Sequence, residues 1–108
     1  MLVYQLKLKD YNILLEPVFI SLKGANIYKK KYQNRKIDII ENNVEINNLD
    51  YIYRIKTLEE DGYSLIELLF TSIESAKSYI EKEKLKKAEV VKEYFSSEYS
   101  VKDFLIEV

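Results

Sequence analysis

Residues 2–9 alternate between apolar and polar positions. Leu2, Tyr4, Leu6 and Leu8 fall on one side; Val3, Gln5, Lys7 and Lys9 fall on the other. A period of two is that of a strand with one buried face. Asp10-Tyr11-Asn12 reads as a turn. Ile13 to Leu22 is apolar but contains Pro17, which has no N–H to give a ladder. A strand is therefore expected over about 18–22, beginning after the proline or lying at a sheet edge. Lys23-Gly24-Ala25-Asn26 reads as a turn and Ile27 to Tyr32 as the returning strand. Gln33 to Lys36 is a polar break, Ile37 to Ile40 a short β-branched run, and Glu41 to Asp50 a loop rich in asparagine.

The second half carries stronger signals. Tyr51 to Leu58 reads as a strand, Asp61-Gly62 as a hairpin turn, and Tyr63 to Phe70 as the return. Both faces of that return are largely apolar, which predicts a central strand covered on both sides. Thr71-Ser72-Ile73-Glu74 matches a capping box, with Thr71 as N-cap and Glu74 three residues on. The helix behind it is expected over about 72–86, with Ile73, Ala76 and Ile80 on its packed face. Ala88, Val91 and Phe95 extend the same stripe, and no Gly or Pro stops a continuation to 95. Tyr99 to Val108 reads as a last strand.

These elements predict an α+β fold: a mainly antiparallel sheet with one principal helix packed on it. No repeat is evident, and 108 residues suit a single domain spanning 1–108. One helix covers one face of a sheet. Cover for the other is expected from residues 10–50, from 88–95 or from a second copy, so monomer and homodimer are both open.

Composition then removes whole classes of chemistry. The chain has no His, Cys or Trp. Thiol nucleophiles, His-based relays, Ser-His-Asp triads and Cys/His zinc sites are excluded. Gly24 and Gly62 are the only glycines, too few for a phosphate-binding loop. No catalytic constellation, cofactor site or metal site is expected, and hence no enzyme. No apolar run approaches the length of a membrane span, so the cytoplasm is the expected compartment. Lysine far outnumbers arginine, as AT-rich coding would give.

The hairpin ending in Leu69-Phe70-Thr71-Ser72-Ile73-Glu74-Ser75-Ala76, the helix bearing Tyr79-Ile80 and the closing Tyr99-Ser100-Val101-Lys102-Asp103-Phe104 segment resemble small α+β accessory proteins of bacteria and their phages. The resemblance covers residues 51–108. It implies a prokaryotic or phage accessory protein and carries no catalytic residue with it.

Two surfaces stand out. Residues 23–36 hold Lys23, Lys29, Lys30, Lys31, Arg35 and Lys36 with no acid, and Tyr28 and Tyr32 lie among them. Cations for phosphates beside aromatic faces for stacking suit a nucleic acid or nucleotide. The plainer reading is an edge strand kept soluble by lysines. Glu59, Glu60 and Asp61 form an acidic hairpin tip, which suits a basic partner or an ordinary solvated surface. Among ten tyrosines, Tyr4, Tyr51, Tyr53 and Tyr63 sit in strand patterns. Tyr11, Tyr94 and Tyr99 fall near element ends, where contact with a protein partner is expected.

The leading expectation is therefore a non-enzymatic interaction protein that binds and inhibits a host macromolecule, of anti-defence or immunity type. The alternative is a nucleic-acid or nucleotide binder using Tyr28, Lys29, Lys30, Lys31, Tyr32, Arg35 and Lys36.

Overall fold

The computed structural model describes residues 1–32, 34–45, 50–60 and 62–96. Strands β1 (Leu2–Leu8) and β2 (Ile13–Phe19) form a hairpin, helix α1 (Leu22–Lys30) follows, and β3 (Ile37–Asn43) returns beside β1. The order then recurs as β4 (Tyr51–Glu59), β5 (Gly62–Leu65), α2 (Ile73–Lys82) and β6 (Ala88–Tyr94). Each half is an antiparallel three-stranded sheet with its first strand in the middle: β2-β1-β3 and β5-β4-β6. The fold is α+β, as the pattern predicts. The central strand is β4, however. The return predicted over 63–70 is an edge that ends at Leu65, and Phe70 rejoins only through a bridge to Tyr53.

The two halves are copies of one unit, a correction to the absence of a repeat in the sequence reading. Phe19, Ser21, Ala25 and Tyr28 recur as Phe70, Ser72, Ala76 and Tyr79 at one constant spacing. In each unit the serine caps the helix, accepting from the backbone N–H three residues on, Gly24 or Ser75. In each the alanine is fully buried. In each the phenylalanine and tyrosine rings meet at nearly the same geometry, 5.6 Å and 51° for Phe19–Tyr28, 5.5 Å and 52° for Phe70–Tyr79. The ladders end alike too. Lys9 N–H donates to Lys36 O where Leu58 N–H donates to Lys87 O, and Val44 N–H to Met1 O where Phe95 N–H donates to Asp50 O.

Local differences from the sequence reading have physical causes. Residues 22–30 form a helix, not a turn and a strand. Ser21 supplies the cap, and Gly24 lets the first turn lie close to Phe19. A Cβ there would stand 3.1 Å from Ser21 Oγ and 3.3 Å from Phe19 Cδ1. Pro17 lies inside β2, which is an edge strand, beside a bulge opposite Gln5–Lys7. Ser72, not Thr71, caps α2. The helix stops at Lys82, and Lys84 and Lys87 take left-handed φ of 52°. Residues 88–94 are thus a strand, not a helical continuation, and their β-branched Val90 and Val91 suit it. Asp61 and the Tyr99–Val108 strand lie outside the described residues.

β1 is buried on both faces rather than one. Tyr4 and Leu6 pack with Phe19, Ala25 and Ile37 beneath α1. Val3 packs with Val18, Ile52 and Phe95, so the inner faces of the two sheets meet. Each sheet therefore has its helix on the outer face and the other sheet on the inner one. The second cover comes from the chain's own other half.

Candidate functional site

The sheet-to-sheet contact carries a polar centre built by the repeat. Gln5 and Arg54 occupy equivalent places on β1 and β4, and both are fully buried. Arg54 Nη2 donates to Gln5 Oε1 at 2.8 Å. Arg54 Nη1 donates to Glu16 O of the first unit at 2.7 Å, and Gln5 Nε2 donates to Glu67 O of the second unit at 2.7 Å. Gln5 Nε2 also reaches Asn42 Oδ1, while Arg54 reaches Glu93 Oε1 at 3.7 Å. Arg54 Nε is buried without a partner. Burial draws the Arg54 pKa down to about 10 against the opposing pull of Glu93 and Glu16. Burial likewise raises the Glu93 carboxyl above its ordinary value, with Arg54 opposing. These side chains are spent on holding the units together.

The basic segment sits at the end of α1. Lys29 and Lys30 lie in its last turn, Lys31 is the C-cap, and Arg35 and Lys36 follow; all five are exposed. Cations there complement the helix dipole. Tyr28 and Tyr32 turn inward. They pack on the core beneath α1, their hydroxyls bond at 3.0 Å, and their rings lie 5.4 Å apart. Their faces are occupied: Tyr28 stacks on Phe19 and takes Lys31 Nζ at 5.9 Å. The structure brings the cations to one end and puts the two rings beneath them.

The second unit differs from the first in one respect that opens its surface. A groove of about 690 Å³ runs between α2 and β6, floored by Tyr53, Ile73, Ile80, Ala88 and Val90 and rimmed by Lys77, Glu81, Glu89 and Lys92. In the first unit Ile37 occupies the place of Ala88 and Tyr32 that of Glu83. Ile37 is almost fully buried and the Tyr32 ring packs over the same cluster. Alanine and an exposed glutamate leave the second unit's face unfilled.

Aromatic side chains extend this groove along the sheet. Tyr51 lies 5.6 Å from Tyr53 and 5.9 Å from Tyr94, both edge-to-face. Lys92 Nζ stands 4.1 Å from the Tyr51 ring centre and 5.7 Å from that of Tyr94. Tyr94 is 62% exposed. The Tyr53 hydroxyl titrates above its ordinary value, mainly through desolvation and next through Tyr51.

Of the remaining predicted contacts, Tyr11 is exposed on the β1–β2 turn with the Arg35 guanidinium 5.6 Å from its ring. Glu59 and Glu60 are exposed at the β4–β5 tip, and Glu59 Oε1 accepts from Ser64 Oγ. Tyr99 and Asp61 lie outside the described residues. The sequence pattern puts Tyr51 and Tyr53 in a strand and Ile73 and Ile80 on a helix face, and assigns neither these nor Lys92 to a site. Only the excess of tyrosine on one strand face hinted at them.

Among the described residues no group of three or more acidic side chains gathers at metal-binding distance, and no helix is long and apolar enough to cross a membrane. Comparison with protein-family models, with curated proteins and with solved structures gives no match to this chain.

Proposed function

We propose that this chain is a non-catalytic protein-binding module and that its contact face is the outer face of the second unit. One observation carries the reading: two copies of the same unit share a fold, Ile37 and Tyr32 fill the first where Ala88 and Glu83 stand in the second, and the apolar groove described on the second runs into the Tyr51–Tyr53–Tyr94 cluster. An open apolar floor with a mixed-charge rim and clustered tyrosines is the anatomy of a protein contact. The sharpest version is an accessory of phage or mobile-element type that occupies and inhibits a host protein.

Ala88→Ile supplies the test, because it gives the second unit the residue that closes the first. The immobilised full chain should retain a stoichiometric protein partner from host lysate, and Ala88→Ile should release it. Replacing Lys29, Lys30 and Lys31 together by Ala should leave capture unchanged. The reverse pattern, with salt-sensitive nucleic acid retained through those lysines, would overturn the reading in favour of the basic end of α1.

A further inference from the structure

The groove lies beside β6, the edge strand of its sheet among the described residues. β6 pairs with β4 over seven unbroken positions, from Tyr51–Tyr94 to Thr57–Ala88. The bonds from Leu58 N–H to Lys87 O and from Phe95 N–H to Asp50 O fix the phase of that ladder. Glu89, Val91 and Glu93 direct their backbone groups to β4. Ala88, Val90, Lys92 and Tyr94 direct theirs away from it. Among the described residues no backbone group takes up those of Val90 or Lys92. β6 has no proline, glycine or bulge that would blunt this edge.

The side chains of Ala88, Val90 and Lys92 point to the same face as the groove. In an antiparallel ladder, directly opposed residues share a face. A strand laid against β6 would therefore send its residues opposite Lys92, Val90 and Ala88 into the groove. The closed unit shows what chemistry fills such a space: an aromatic ring and a β-branched side chain, Tyr32 and Ile37. The rim adds polarity. Lys77 and Lys92 stand towards one end, and Glu81 stands at the other, where α2 runs out.

We infer that the groove binds an extended peptide segment of a partner protein by strand addition to β6. The segment runs antiparallel to β6 and carries an acid opposite Lys92, an aromatic residue opposite Val90 and a base opposite Ala88. Main-chain hydrogen bonds supply pairing and the alternate side chains supply selectivity. This rests on the protein-binding reading above and specifies the form of the ligand.

The experiment uses the full chain and a labelled synthetic peptide with Glu, Tyr and Lys at alternate positions in a threonine-rich frame. A scrambled peptide of the same composition is the control. The ordered peptide should bind at least about tenfold more tightly than the scrambled one. Binding should slow amide exchange at Val90 and Lys92. Lys92→Pro removes one outward N–H without touching the β4 ladder, and it should weaken binding by about tenfold relative to Lys92→Ala, the worth of one well-made hydrogen bond. Equal binding of both peptides, or no binding, overturns the inference. So does binding that leaves the Val90 and Lys92 amides exchanging as in the free chain, since the groove would then take side chains or a helix. The exchange readout stands even if Lys92→Pro fails to fold. Failure here with partner capture still lost in Ala88→Ile refutes strand addition alone; capture that survives Ala88→Ile refutes the module reading itself.

Discussion

Arg54 is a charge at full burial, and its surroundings decide what a substitution costs. It donates to Gln5 Oε1 and Glu16 O and faces Glu93 at 3.7 Å. Arg54→Leu leaves that carbonyl unpaired and Glu93 without its cation, and should cost about 3–5 kcal/mol in urea unfolding. Arg54→Gln should cost about 1–2 kcal/mol, because a glutamine at the equivalent Gln5 already spans the same contact. Glu93 gives a pH signature. Its folded pKa is raised above the ordinary 4.5, chiefly by burial. The native state thus holds that proton more tightly than the unfolded chain, and the contribution is full below 4.5 and is lost as pH rises through the folded pKa. Wild type should lose stability relative to Glu93→Gln as pH climbs above 4.5, measured by denaturant midpoints across pH. At α2 the cap assignment is equally testable. Ser72→Ala should cost about 1 kcal/mol, whereas Thr71→Ala should stay within about 0.5 kcal/mol.

At the scale of elements, the pair α2–β6 is where the two units part. Ala88→Ile should raise stability by about 1 kcal/mol in thermal or denaturant unfolding, since it fills apolar space on a strand that favours β-branched residues. A groove-closing variant that is more stable yet inactive would mark the space as kept open for use. Strands β1, β3 and β4 were legible because their alternation and β-branched runs are local. Helix α1 was not legible: Gly24 and three successive lysines imitate a turn and an edge, and only the contact of Gly24 with Phe19 shows why glycine belongs there. The end of α2 was hidden for another reason. Lysine carries no mark for the left-handed backbone that Lys84 and Lys87 adopt, and the stripe Ala88–Val91–Phe95 fits a helix as readily as a strand. Of the site, single tyrosines could be read from the sequence. Their assembly could not, because it depends on β4 and β6 pairing in register.

Among the described residues one junction joins the two units, so they should not melt independently. Val3, Val18, Ile52 and Phe95 form one cluster between the sheets, with Gln5 and Arg54 beside it. Tyrosine fluorescence and far-UV circular dichroism should follow one coincident transition, and two separated transitions would refute this coupling. The junction also says something about which associations the chain permits. Around the approximate twofold relating the units, position 5 faces position 54. Two second units meeting each other would place arginine against arginine, a repulsion of about 4 kcal/mol at contact distance in a protein-like dielectric. Two first units would place glutamine against glutamine and pay no such penalty. Covalent linkage of unlike halves is therefore what allows a cation at this centre. The second unit thus meets a compatible glutamine in the first unit of its own chain, and would meet a like charge in the second unit of a neighbouring one.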